Sequence, residues 1–231
     1  MKVKFLEEKE ITTEAFLLLQ AYERQFNIRI APPVPIDEIA ECHLELDLRF
    51  DNMERRLQKK DVLGAIWIED KRVIIDQSLD PTTNPLKNGR YRFTLAHEVG
   101  HWTLHRLYYL TRAKQPALFG VNDEPSIICR AGDTEPIEWQ ANTFAAHVLM
   151  PKEMIYNAWE QQHGNLRPYD ATDEVKLLSE SLTDTRTSTV GIARDLAKQF
   201  HVSGQAMQIR LTGFGFVKFN KEVSGLFDKW N

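Results

Sequence analysis

The stretch RFTLAHEVGHWTLH, residues 92–105, constrains this chain more than any other. It sets His97 and His101 four residues apart with Glu98 between them. On a helix, residues four apart differ by about 40° in direction and ~6 Å along the axis, so both imidazoles can reach one ion. Glu98 points about 100° away from His97, beside such an ion rather than on it. A general base must stand there to take a proton from an activated water. The bland alternative is three polar residues sharing a helix by chance, and the five-residue pattern alone is weak evidence. Its context argues for a clamp, because a long helix is predicted from about Asn88 to Tyr109.

A clamp needs a third protein ligand. His105 lies ~12 Å along the axis from His97, whereas each zinc–nitrogen bond spans only ~2 Å, so an unbroken helix cannot offer all three imidazoles. Peptidases that add a third histidine downstream turn the chain back at a glycine. Leu104 and Leu107 occupy the glycine and histidine positions here, which excludes that class. The ligand is therefore expected from a second helix, predicted to start near Glu135-Pro136, run through EWQANTFAAHVLM and stop at Pro151. On it Glu138, Asn142, Ala145 and Leu149 fall within about 40° of one direction. That face is otherwise small or apolar, and a carboxylate buried there without a partner costs roughly several kcal/mol.

Glu138 is thus the favoured third ligand and Glu135 its competitor; the ordinary reading of either is an exposed glutamate favoured by a helix N-terminus. Asn142 is placed to hydrogen-bond a ligating histidine, with Thr94 and His105 as further supports around the ligands. Gly100, inside the first helix, suits a close approach of the second.

The rest of the chain frames this site. Residues 12–26 space Ala15, Phe16, Leu19, Tyr22 and Phe26 along one helical face, and the cluster APPVP stops it before a short helix from Ile36 to Cys42. VLGAIWIEDKRVIID, residues 62–76, reads as a β-hairpin. Residues 111–134 read as a loop, and 160–187 as a polar surface insertion or lid. Helical patterning resumes at Val190.

The predicted fold is α+β: a small, mostly antiparallel sheet packed on a two-helix metal site, with a helix-turn-helix-like C-terminal part. The corresponding organisation is an N-terminal helical extension over 1–30, a peptidase core over 31–159, the insertion over 160–187 and a helical part with a tail over 188–231.

Composition bounds the partners. A net charge of −4 provides no basic footprint for DNA or an anionic membrane. Cys42 and Cys129 lie far apart without a CxxC pattern, against a disulfide framework and in keeping with a reducing cytosol. The apolar run near the N-terminus is too short for a signal peptide or a span. A cytoplasmic location is expected. Cys129, between the two metal helices, could inhibit the site or sense redox state, although the ordinary reading of a lone cysteine is an inert one.

RFTLAHEVGHWTLH, then EWQANTFAAHVLMP, then LAKQFHVSGQAMQIRL, in that order, resembles the ImmA/IrrE family of zinc metallo-endopeptidases over roughly residues 32 to 215. The resemblance implies Zn2+ held by His97, His101 and Glu138, with Glu98 as catalytic base. Many members carry a second acid where this chain has Gln140. It also implies a protein substrate, a helix-turn-helix transcriptional repressor. A substrate segment is expected to lie extended against an edge of the 62–76 hairpin. Tyr108, Tyr109 and Arg130 are the candidate oxyanion stabilisers, while His147 is expected to face away from Glu138.

LAKQFHVSGQAMQIRL has helix-turn-helix spacing, with a turn at His201-Val202 and Ser203 capping the second helix. Gln205, Gln208 and Arg210 are the expected donors on its exposed face, a thin set for reading DNA. Direct DNA binding is therefore not expected. The rival reading is a DNA-binding or repressor-binding regulator whose zinc is structural or sensing and which cuts nothing.

Overall fold

The computed structural model describes residues 3–112, 124–130, 135–174 and 189–219. The chain divides into two compact units, Met1–Leu149 and Met150–Asn231. Mixed helix and strand throughout bear out the α+β class.

The first unit begins with α1 (Glu8–Phe26). A reciprocal capping box between Glu7 and Glu10 starts this helix earlier than its apolar spacing suggested. Its buried stripe is Ile11, Ala15, Leu18, Leu19 and Tyr22. Phe16 and Phe26, assigned to that face from the sequence, are 49% and 41% exposed. Ile11 and Leu18 take their place, because residues 11, 15, 18 and 22 form the straighter helical stripe. A short helix α2 (Ile36–Glu38) runs into a π-helical turn at Ile39–His43. There Tyr22 donates a 2.7 Å hydrogen bond to Glu38, tying α1 to this segment.

The predicted hairpin is present as β2 (Val62–Trp67) and β3 (Arg72–Asp76), paired antiparallel with Gly64 opposite Ile75 and Ile66 opposite Val73. It is not an isolated hairpin. β1 (Asp47–Asp51) pairs parallel with β3, and β4 (Ile127–Arg130) pairs antiparallel with β2, giving the order β1-β3-β2-β4. Both hairpin edges are therefore occupied, so a substrate strand cannot add to either. Among the described residues the outer strand on the β2 side is β4, which falls in the stretch read as loop.

Strand alternation gives the sheet two faces. Val62, Ala65, Trp67 and Ile74 point to one, where Met53 and Leu57 of α3 (Met53–Leu57) cover them together with Ile128. Arg72 and Arg56 lie over the Trp67 ring at 4.7 and 5.5 Å. The register turns Gly64, Ile66, Val73, Ile75, Ile127 and Cys129 to the opposite face.

Against that second face lies the long helix α4 (Asn88–Arg112). Its first turns are anchored through Tyr91, which donates to Asp37, and Arg92, which donates to the Val34 carbonyl. On its other side α4 meets α5 (Pro136–Leu149). Gly100 makes the contact possible: a Cβ there would stand 3.2 Å from the Ala141 Cα and carbonyl oxygen and 3.2 Å from the Phe144 ring. Backbone cannot step aside as a side chain can. Gly100→Val is expected to destabilise the protein by about 1–3 kcal/mol through overpacking, read as a lower midpoint in urea unfolding.

The second unit contains α6 (Lys152–His163), β5 (Tyr169–Asp170), α7 (Gly191–Phe200), α8 (Gly204–Gly213) and β6 (Val217–Lys218). β5 and β6 pair parallel, a ribbon the sequence reading missed. Residues 175–187 of the expected insertion lie outside the described residues. The turn between α7 and α8 is as read: His201 adopts the left-handed conformation, φ 51°, and Ser203 accepts from the Ala206 N–H at 3.1 Å. The donors expected on α8 are not all outward, however. Gln208 is buried and its Oε1 accepts from the Val190 N–H at 2.8 Å. Arg210 donates to the Met150 carbonyl at 3.2 Å and lies over the Phe214 ring. These side chains hold the unit together, which thins further the case for α8 as a DNA-reading helix.

Candidate metal centre

α4 presents His97, Glu98, His101 and His105 inward, all buried. From the first turn of α5 Glu138, also buried, meets them. The carboxylate suits that position because the helix N-terminus favours negative charge. Glu135, its competitor, is exposed.

The donor atoms form a small triangle. His97 Nε2 lies 3.0 Å from Glu138 Oε2, His101 Nε2 lies 3.3 Å from Glu138 Oε1, and the two Nε2 atoms are 2.9 Å apart. Bonds of ~2.0–2.1 Å to a tetrahedral zinc impose edges of ~3.3 Å, so a few tenths of an ångström of expansion admits the ion. The ring orientations suit a cation as well. Asn142 Oδ1 can only accept, so the 2.9 Å contact makes His97 Nδ1 a donor and turns the Nε2 lone pair into the triangle. His101 Nδ1 lies 3.1 Å from His105 Nδ1; a His101 that donates there leaves its Nε2 lone pair facing the same point. Two lone pairs and a carboxylate converging in a buried space call for a positive charge at their centre.

In the metal-free centre a proton meets that demand. Burial opposes charge on His97, but Cys129 and Glu138 beside it hold its pKa well above the ordinary value. Burial, with His97 as neighbour, drops His101 to about 4 despite Glu138, leaving it neutral. Glu138 itself is pushed up by burial and pulled down further by the two imidazoles, to about 2, so it remains an anion. A metal ion held by these donors would take over the charge balance from that proton.

Glu98 differs from all of these. It is 0% exposed, and among the described residues neither carboxylate oxygen has a hydrogen-bond partner. Burial, opposed by His97 and reinforced by Glu138, raises its pKa to about 8. It lies over β2 where that strand has no side chain. A Cβ on Gly64 would stand 2.9 Å from Glu98 Oε1, 3.1 Å from Ile75 Cδ1 and 3.2 Å from Thr94 Cγ2. Gly64 thus creates the space for the Glu98 carboxylate, a role only the tertiary fold reveals. Gly64→Ala is expected to displace Glu98, lowering turnover about tenfold or more with metal affinity little changed. Steady-state kinetics alongside a metal titration separates those two effects.

Of the expected supports, Asn142 and His105 meet the rings of His97 and His101. Thr94 does not. Among the described residues it has no hydrogen bond to the donor trio, and its methyl lines the gap over Gly64 instead. Gln140 is buried, accepts from the Leu6 N–H at 3.3 Å and stands beside His105. His147 faces α1, within 3.3 Å of Thr12 and Glu8, as its position on the helix predicted. Tyr108 and Tyr109 pack ring to ring at 5.3 Å farther along α4. The residue the sequence reading placed least well is Cys129. It is buried, and its sulfur belongs to a group with donor atoms of His97 and Glu98, all within 4.8 Å of one another. The β-branched pair in SIICR was the signal for its strand.

A buried His-His-Glu donor set beside an unpartnered carboxylate defines a metallopeptidase-like centre. The sequence profile of the Peptidase M78 family, described as the IrrE N-terminal-like domain, matches residues 50–212, and the chain belongs to that family. No curated protein matches it. Among solved structures, a Mycobacterium tuberculosis transcriptional regulator is similar at 16% identity and a TM-score of 0.44, over 90% of this chain and 52% of its own. The chain thus spans about half the length of that regulator. No helix among the described residues is long and apolar enough to cross a membrane.

Proposed function

We propose that this chain is a zinc-dependent endopeptidase of the cytoplasm that cuts a helix-turn-helix transcriptional repressor at a specific site. The observation that carries the enzymatic reading is Glu98: a fully buried carboxylate without a hydrogen-bond partner among the described residues, held beside a triangle of metal donors. A purely structural metal site has no use for such a group, and its burial is unfavourable.

His97, His101 and Glu138 would hold the ion, oriented by Asn142 and His105. When bound, zinc supplies a Lewis acid that polarises the scissile carbonyl and acidifies water. Glu98 takes the proton from the attacking water and hands it to the leaving amine as the C–N bond breaks. Its full burial in the space over Gly64, beside Ile75, holds that carboxylate next to the donor trio. A substrate segment pairs, extended, with the outer edge of β4, whose inward residues share the sheet face that α4 covers.

Digestion of candidate repressors read by mass spectrometry tests the proposal. Discrete cuts that vanish with a chelator and return with zinc support it. A repressor held intact by wild type and by Glu98→Gln alike identifies a sequestering regulator instead.

A further inference from the structure

We propose that Cys129 is a fourth protein donor to this metal, whose thiolate closes the centre in the resting protein and competes with water for the position catalysis needs. The inference rests on the metal-binding reading above and adds its regulation. Three observations converge on it.

Strand register comes first. Cys129 pairs with Gly64 across the β2–β4 ladder, and cross-strand partners project from the same face. Gly64 is the point over which the Glu98 carboxylate lies, so the thiol is delivered to the same side of the sheet. Distance comes second. The sulfur, a His97 ring nitrogen and a Glu98 oxygen lie within 4.8 Å of one another, and His97 also belongs to the metal triangle. A sulfur and an imidazole nitrogen sharing a tetrahedral zinc stand ~3.6 Å apart; His97 is common to the two donor groups, and closure requires β4 to carry the sulfur toward the His101 and Glu138 donors. The third observation is Glu98 itself, wholly buried and unpartnered, directed into the space that Cys129 adjoins.

The chemistry follows from the donors. Thiolate sulfur is a preferred zinc ligand, and a site with four protein donors is closed whereas a catalytic one keeps a position for water. On closure the S–H bond breaks, a sulfur–metal bond forms, the proton leaves to solvent and the water at that position departs. Nothing is oxidised or reduced. Glu98 is then left with no water to activate, and the enzyme is latent until the sulfur withdraws. β4 is the outer strand on this side among the described residues, and a peptide pairing with its outer edge is placed to shift it.

Cobalt replacing zinc reads the donors directly. The wild-type cobalt protein is expected to show visible ligand-field bands together with a near-ultraviolet sulfur-to-cobalt charge-transfer band. Cys129→Ser is expected to lose the charge-transfer band and keep the ligand-field bands, whereas Cys42→Ser keeps both. Ligand-field bands without the charge-transfer band in wild type overturn the role of Cys129 and leave the metal site standing. Absence of all cobalt bands overturns both.

Discussion

Replacing Glu98 by Gln is expected to abolish cleavage, by about 10²- to 10⁴-fold, while the protein keeps its metal. The same substitution is expected to make the metal-free fold more stable at alkaline pH. Burial, against the pull of His97 and with the push of Glu138, lifts the Glu98 pKa from 4.5 to about 8. Between those values the folded protein retains a proton that the unfolded chain has released. Stability therefore falls as pH rises from about 4.5 to about 8 and stays low above that window.

Gln has no proton to lose and removes this slope. A shift of that size corresponds to at most about 4–5 kcal/mol, and each kcal/mol moves Tm by roughly 2–4 °C for a chain of this length. Thermal unfolding of the metal-free proteins is expected to show similar Tm values near the acid end and a Gln variant several degrees higher at about pH 8.5. Parallel profiles, or cleavage that survives the substitution, contradict the role given to Glu98.

Glu138→Ala has the other large effect. It removes the anion toward which both imidazoles turn, and breaking a buried charged arrangement costs about 3–5 kcal/mol. Zinc affinity is expected to fall by roughly a hundredfold to several thousandfold, measured by competition with a chelating dye. Glu135→Ala, three residues earlier and exposed, should bind zinc as wild type does. Equal losses in the two variants would place the third ligand elsewhere.

Why these residues were legible, and others were not, has a physical basis. His97, Glu98, His101, Glu138, Asn142 and Gly100 all lie on α4 or α5, where a fixed angular step converts spacing into direction. The hairpin was legible too, because alternation marks strands. Its neighbours were not: β1 and β4 are short edge strands whose pairing depends on distant partners, and that pairing leaves neither hairpin edge open. The sheet-side wall of the site was hidden for the same reason. Nothing local in GAIW says that Gly64 faces Glu98, and nothing in SIICR says that Cys129 shares that face. On the helices themselves, spacing identifies a stripe but not its width. Phe16 and Phe26 fell outside the buried stripe of α1, and Gln208 fell inside the core of the second unit.

Zinc K-edge absorption of the purified protein, with metal content determined on the same sample, tests the donor triangle most directly. One zinc per chain is expected, with two imidazole nitrogens and a carboxylate oxygen at ~2.0–2.1 Å beside the sulfur at ~2.3 Å that Cys129 would add, and the signal lost in Glu138→Ala. Substoichiometric zinc, or a shell indifferent to the loss of His97, His101 or Glu138, would contradict the account.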